Sequence, residues 1–216
     1  MHESVQNLIN IKNKINQNCQ SYNNINIIAV SKTFTMEKII PLLDYGHKNF
    51  GENKVQEAIE KWTEFKNTKD SIKLHLIGKL QSNKVKHALK IFDYIHSLDS
   101  IKLAEKIANE QQKLSKKIKL FIQVNIGSEQ QKSGVSIEKL EELYQFSVSL
   151  NLNIIGLMCI PPEGKNPDSY FKKLKLLNHR LGLNELSMGM SSDYISAINN
   201  SATYLRIGSE IFGKRD

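Results

Sequence analysis

Short apolar runs of strand length alternate along the whole chain with longer segments of helical periodicity. The runs are Ile25–Ser31 (INIIAVS), Lys48–Gly51 (KNFG), Lys73–Ile77 (KLHLI), Tyr94–Leu98 (YIHSL), Lys119–Asn125 (KLFIQVN), Asn153–Ile160 (NIIGLMCI), Glu185–Met188 (ELSM) and Tyr204–Ile207 (YLRI), eight in all. Between them Met36–Tyr45, Asn53–Phe65, Ile101–Leu114, Ile137–Leu150 and Tyr170–Leu181 carry apolar residues at mixed spacings of three and four, which gathers them on one helical face. A leading helix is expected near residues 3–18. Parallel strands need a crossover and a helix supplies it, so this rhythm predicts an α/β protein with a parallel sheet. Eight strands, seven connecting helices and a leading helix predict a single closed (β/α)8 barrel of the TIM type. The competing open, doubly wound sheet calls for a glycine-rich turn after the first strand. That turn reads SKTFT. No linker, low-complexity tract or repeat divides the chain, so residues 1–216 are read as one domain.

Composition narrows the class without changing the fold. A chain of 216 residues with 40% hydrophobic positions can bury one sizeable core. No apolar run approaches the roughly 18 uncharged residues of a spanning helix, and the start MHESVQNLINIKNK has no unbroken apolar stretch. A cytoplasmic protein with no membrane partner is expected. Cys19 and Cys159 lie far apart without CxxC spacing or a histidine cluster, so free thiols and no metal site are expected. The formal charge of +8 raises the question of nucleic acid. The lysines, however, are scattered through helical segments, arginine occurs only at 180, 206 and 215, and no aromatics interleave the basic runs. A solvated lysine-rich surface is the expectation, with no nucleic-acid partner.

In a (β/α)8 barrel the chemistry stands at the C-terminal ends of the strands, and phosphates bind in the loops after strands seven and eight. Those positions here are Ser31-Lys32-Thr33, Gly51-Glu52-Asn53, the Gly78–Asn83 turn, Gly189–Asp193 and Gly208-Ser209. The last two are small, hydroxyl-bearing turns whose free amides suit an anion. Arg206 alternates with Leu205 and Ile207, so it points to the side opposite them, and an arginine inside a barrel requires a partner. Lys32 ends the run IIAVSK, where an amine with apolar walls can form a Schiff base, although a rim lysine is more often only solvated. Taken singly, Asn53 reads equally well as a helix N-cap, Ser191 as a turn former and His75 as a satisfied core histidine. Combined, a lysine, an asparagine, a phosphate cradle and an inward arginine at one barrel mouth form a coherent pyridoxal 5′-phosphate (PLP) constellation.

The segments AVSK (29–32), FGEN-x-VQE (50–57), H-x-IG-x-LQ-x-NK (75–84), GLM-x-I (156–160), SMGMS-x-D (187–193) and RIG-x-x-IFG (206–213) resemble those of the pyridoxal phosphate homeostasis proteins. The resemblance spans nearly the whole chain. It implies the fold of the alanine racemase N-terminal barrel, PLP as an internal aldimine on Lys32, Asn53 near the ring, phosphate contacts from Ser191, Gly208 and Ser209, and Arg206 facing the pyridine nitrogen. A guanidinium there donates to an unprotonated nitrogen and works against the electron sink of PLP catalysis. Racemases of this type have in addition a catalytic tyrosine from a β domain. Because the chain ends at Asp216, after the strand-eight loop, that domain is expected to be absent. The implied function is a monomeric PLP carrier that serves PLP homeostasis and supplies apo-PLP-dependent enzymes as transient recipients, with little or no turnover. The alternative is a weak amino-acid racemase-like PLP enzyme using Tyr194 or Cys159 as base. Two departures from the family pattern stand out. Ser201 replaces a usual glycine, which suggests a turn with positive φ that Asn200 or a small shift accommodates; Ser209 replaces a frequent threonine and keeps the hydroxyl. Lys79 is assigned no role.

Overall fold

The computed structural model describes residues 1–18, 25–68, 71–129 and 131–213. Eight strands, β1 (Asn26–Val30), β2 (Asn49–Glu52), β3 (Lys73–Leu76), β4 (Tyr94–Leu98), β5 (Lys119–Gln123), β6 (Asn153–Met158), β7 (Glu185–Ser187) and β8 (Tyr204–Ile207), form a closed barrel in sequence order. All neighbours are parallel, and β8 closes on β1 with Ile27 beside Leu205 and Ile28 beside Arg206. The helices are α1 (Glu3–Asn18), α2 (Met36–Asp44), α3 (Val55–Thr68), α4 (Val85–Ile91), α5 (Ile101–Leu114), α6 (Ile137–Ser149), α7 (Asp168–Arg180), α8 (Tyr194–Asn199) and α9 (Ser209–Phe212). The expected single α/β barrel is the observed fold.

The helices form where the pattern placed one apolar face. In α1 the buried positions Val5, Leu8, Ile11 and Ile15 recur at three and four residues. Of the seven connecting helices expected, α4 and α8 are the two for which the sequence pattern sets no bounds, and α9 lies beyond that count; they have seven, six and four residues. Each spans two turns or fewer, too short for periodicity to register. The fifth strand stops at Gln123 because the Asn125 side chain closes the following turn, donating to Glu129 O at 2.8 Å and accepting from Glu129 N at 3.2 Å. Helix α7 begins at Asp168, earlier than expected, where Asn166 Oδ1 accepts the Asp168 amide at 3.0 Å. Ser201 itself takes the left-handed conformation, φ +70°, so no shift to Asn200 is involved.

Two apolar layers result. Between sheet and helices, an aliphatic core runs from Leu8 and Ile39 through Trp62, Leu89 and Leu140 to Phe171 and Ile211. Inside the barrel a smaller cluster of Ile28, Phe121, Met158 and Tyr204 is interleaved with polar groups. Cys159 is a buried free thiol; Cys19 and Asp216 lie outside the described residues. Among the described residues, no helix is long and apolar enough to cross a membrane and no cluster of ligating side chains suits a metal.

Candidate functional site

Lys32 stands half-buried in the turn that follows β1. Its neighbours are fixed. The Ser31 amide donates to Gly51 O at 2.9 Å, and the Ser31 hydroxyl donates to Glu52 Oε1 at 2.7 Å. That same carboxylate oxygen accepts Trp62 Nε1 and Lys61 Nζ, both at 3.0 Å, while Glu52 Oε2 is buried without a hydrogen-bond partner among the described residues. Lys61 also donates to Ser31 O and Glu57 Oε1 at 2.9 Å each. Thr33 is left-handed, φ +67°, with its amide on Glu57 Oε1 at 2.5 Å. Burial opposes the charge on Glu57, but the Thr33 amide and the Lys61 ammonium outweigh it and hold the carboxyl below its usual range. Sequence reasoning met Glu52 and Glu57 only as letters of a motif. An acidic residue on a strand face turned toward an apolar helix was the available signal.

Asn53 lies in the loop two residues ahead of α3, not at the residue that precedes the helix. Its backbone touches Gly78 so closely that any side chain at 78 would collide with it. Asn53, Gly78, Lys79, Gln123, Asn125 and Lys132 line a mouth cavity of about 260 Å³. Larger grooves, of about 760 and 550 Å³, lie on the helical shell beside α5 and α6, away from every residue expected to bind a cofactor.

Arg206 is buried inside the barrel. Its Nη1 donates to Ser187 Oγ at 2.7 Å and its Nη2 to Cys159 O at 2.8 Å, so the expected partners are neutral oxygens. Burial lowers the guanidinium pKa, and burial pushes the Cys159 thiol up to about 12. Behind Ser187 a hydrogen-bonded chain crosses the barrel: Ser187 Oγ to His96 Nδ1 at 2.8 Å, His96 Nε2 to His75 Nδ1 at 3.0 Å, His75 Nε2 to Asn49 Oδ1 at 3.1 Å. The Arg206 end can only donate and the Asn49 oxygen can only accept. One ordering of protons then satisfies every link, with His75 and His96 both neutral and protonated on Nε2. The rings agree with it. Burial and nearby cations lower His75 to about 3 and His96 well below its ordinary value. His75 is thus a satisfied core histidine. Its partner His96, and Ser187 beyond it, went unnoticed in the sequence, since each lies on a different strand.

The loops after β7 and β8 meet at one corner. The Arg206 amide donates to Gly189 O at 2.9 Å, the Met190 amide to Asp193 Oδ1 at 2.6 Å, and the Glu210 amide to Ser191 Oγ at 3.4 Å. This brings Ser191 against the turn formed by Gly208 and the exposed Ser209. A Cβ at Gly208 would stand 3.3 Å from Val30 Cβ, so that turn presses on the end of β1, two residues before Lys32. Gly189, at φ +92°, has no room for a side chain, since a Cβ would meet Ala197 Cβ at 2.6 Å. Lys32, Ser191, Arg206, Gly208 and Ser209 therefore share the β7–β8–β1 side of the barrel. Asn53 stands across β2, beside the mouth cavity.

The sequence profile described as alanine racemase, N-terminal domain, matches residues 6–216. The chain is 40% identical over 199 residues to the pyridoxal phosphate homeostasis protein of Aquifex aeolicus, spanning 88% of this chain and 86% of the relative. It is 34% identical over 230 residues to that of Escherichia coli, spanning 100% and 98%. PipY of Synechococcus elongatus, solved without PLP, superposes with a TM-score of 0.89 at 34% identity over 98% of this chain and 100% of that one. PipY with PLP bound gives 0.78 at 36% identity over 88% and 93%. Alanine racemase from Clostridium difficile shares the fold, with a TM-score of 0.74 at 16% identity over 99% of this chain and 57% of the enzyme. The chain belongs to the alanine racemase N-terminal domain family and, within it, to the pyridoxal phosphate homeostasis proteins.

Proposed function

We propose that the protein binds PLP at the barrel mouth through Lys32 and serves PLP homeostasis by holding the cofactor and releasing it to apo-PLP-dependent enzymes. The observation that carries this reading is that the Lys32 turn, the Ser191 and Ser209 loops and the inward Arg206 guanidinium lie together on the β7–β8–β1 side of one mouth. That donor set fits the three polar ends of PLP. The Lys32 amine would hold the cofactor at its aldehyde end. Ser191, Ser209 and the Gly208 amide receive the phosphate, Arg206 donates to the ring nitrogen, and Asn53 stands near the ring. When bound, the cofactor supplies an aldehyde carbon that exchanges between amines. An open mouth permits that exchange.

A holding role is favoured over racemisation by the two residues otherwise available as bases. The buried Cys159 thiol, pushed up to about 12, keeps its proton at neutral pH. The Tyr194 hydroxyl is raised by burial and donates to Glu210 Oε1 at 3.3 Å. Arg206 keeps its own protons and favours a neutral ring nitrogen. A monomer agrees with the scatter of the exposed large apolar side chains: Ile40 and Tyr45 at α2, Val148 on α6, Ile160 after β6 and Leu176 on α7.

The test is borohydride trapping of the PLP-loaded protein followed by peptide mapping, on the native chain and on Lys32→Ala, with pyridoxal as a second ligand. The adduct is expected on Lys32 alone, lost in the variant, and weak with pyridoxal. A full-occupancy adduct on another lysine overturns the assignment, and equal affinity for pyridoxal removes the phosphate site.

A further inference from the structure

The Lys61 ammonium has three protons, and they go to three oxygens: Ser31 O, Glu52 Oε1 and Glu57 Oε1. Its side chain is 12% exposed, against 0% for Glu52 and 25% for Glu57, so the cluster is largely removed from solvent screening. A salt bridge that only docked α3 onto β2 would link helix to strand. This one reaches past the strand to the main chain on either side of Lys32: Lys61 holds the carbonyl before it, and Glu57 holds the amide after it. The turn needs holding. Thr33 is a β-branched residue at φ +67°, a conformation such residues rarely adopt unless their surroundings impose it.

We infer that Lys61, acting with Glu52 and Glu57, is a positioning residue that fixes the Ser31-Lys32-Thr33 turn so that the Lys32 amine is presented to the barrel mouth. The inference rests on the reading that Lys32 carries the cofactor. No bond to the cofactor is required of Lys61 or of either carboxylate. Their effect passes through the backbone of the turn, and it ends at the Lys32 nitrogen.

The experiment follows the absorbance of the PLP adduct after mixing apo-protein with PLP, at a temperature where circular dichroism shows every variant folded. Lys61→Met and Glu57→Ala are expected to slow adduct formation and weaken PLP binding by about tenfold or more, as for a reacting group displaced by a distant change. Glu57→Gln keeps an oxygen for the Thr33 amide and is expected within about threefold of native, a recovery that a purely electrostatic role would not give. Should Lys61→Met fail to fold, the partly exposed Glu57→Ala decides. Folded Lys61→Met or Glu57→Ala protein that loads PLP at the native rate and affinity overturns the inference. Borohydride mapping of the native protein is the separate control: an adduct elsewhere than Lys32 overturns the underlying reading, whatever the variants do.

Discussion

The shell between sheet and helices and the inside of the barrel are both buried, yet they are built from different chemistry. The shell is filled by Leu, Ile, Val and Ala with Trp62 and Phe171, groups whose contribution scales with area and has no direction. The inside holds Ile28, Phe121, Met158 and Tyr204 next to His75, His96, Ser187 and Arg206, the last four joined by hydrogen bonds that admit one proton ordering. Area supplies the stability of the fold, whereas direction aims a single cation. A barrel can afford this division because eight strands with covered outer faces already bury a large apolar surface. The inner residues are left free for Arg206.

The largest effect is a response to acid, centred on His75 and His96 inside the barrel; His47, packed on Phe50 and lowered to about 4 by burial, adds to it from outside. In the folded protein His75 and His96 stay neutral far below pH 6.5, with His75 held at about 3. In the unfolded chain both take up protons below about pH 6.5. The unfolded state then binds more protons, so stability present above that pH is lost as pH falls from about 6.5 toward the folded values. Each ring contributes a slope of up to about 1.4 kcal/mol per pH unit, or roughly 4 to 5 kcal/mol for both between pH 6.5 and 4.5. Urea titrations across that window are expected to show the loss, and His96→Phe to reduce the slope by about a third, since His47 and His75 still contribute. A flat stability profile from pH 6.5 to 4.5 would mean that the inner chain does not hold neutral histidines.

A pair of truncations sharpens the contrast. Leu140 is fully buried in the shell on α6, and Leu140→Ala is expected to cost about 2 to 5 kcal/mol through lost transfer energy and the cavity left behind. PLP affinity should not follow. Arg206 is nearly as buried, but its hydrogen bonds go to Ser187 and Cys159 oxygens that are neutral, and burial outweighs the favourable Asp193 charge, so desolvation works against the guanidinium. Arg206→Met is expected to leave stability within about 1 kcal/mol of native or to raise it, while PLP affinity drops. Chemical denaturation and PLP titration on the same samples read both quantities. A loss above about 2 kcal/mol for Arg206→Met would place Arg206 with the shell, as a structural element.

The same division decides what could be read from the sequence. The shell was legible, because its residues recur at three and four along α1, α5 and α6 and alternate with eight apolar runs, and the barrel follows from counting them. Helices α4, α8 and α9 were too short to leave a period. The site positions Lys32, Asn53, Ser191, Arg206, Gly208 and Ser209 came from their places at strand ends and from a resemblance in motifs. Arg206 was seen to point inward, since alternation on β8 shows which side a residue faces. Alternation does not show what it meets there. Ser187, His96 and His75 are brought together by strand order and register, 21 and 91 residues apart along the chain. Lys61 was equally hidden, a lysine among 30 basic residues, until the turn it holds was folded against it.

The smallest effect lies where neither region rules, in the turn that carries α8 into β8. Ser201 is exposed and left-handed at φ +70°, a conformation that costs a residue with a Cβ roughly 1 to 2 kcal/mol. Ser201→Gly removes that cost but enlarges the freedom of the unfolded chain by about 0.4 to 1 kcal/mol, so the net gain is expected to centre near about 0.8 kcal/mol. For a chain of this length that corresponds to a rise in Tm of about 1 to 3 °C. Thr33 is also left-handed, yet its strain is tied to the Lys32 turn through the Glu57 contact. Glycine at Ser201 should therefore raise Tm and leave PLP affinity alone, whereas glycine at Thr33 should disturb loading whatever it does to Tm. If Ser201→Gly lowers stability, the turn is held by the serine side chain and its backbone angle is not the source of strain.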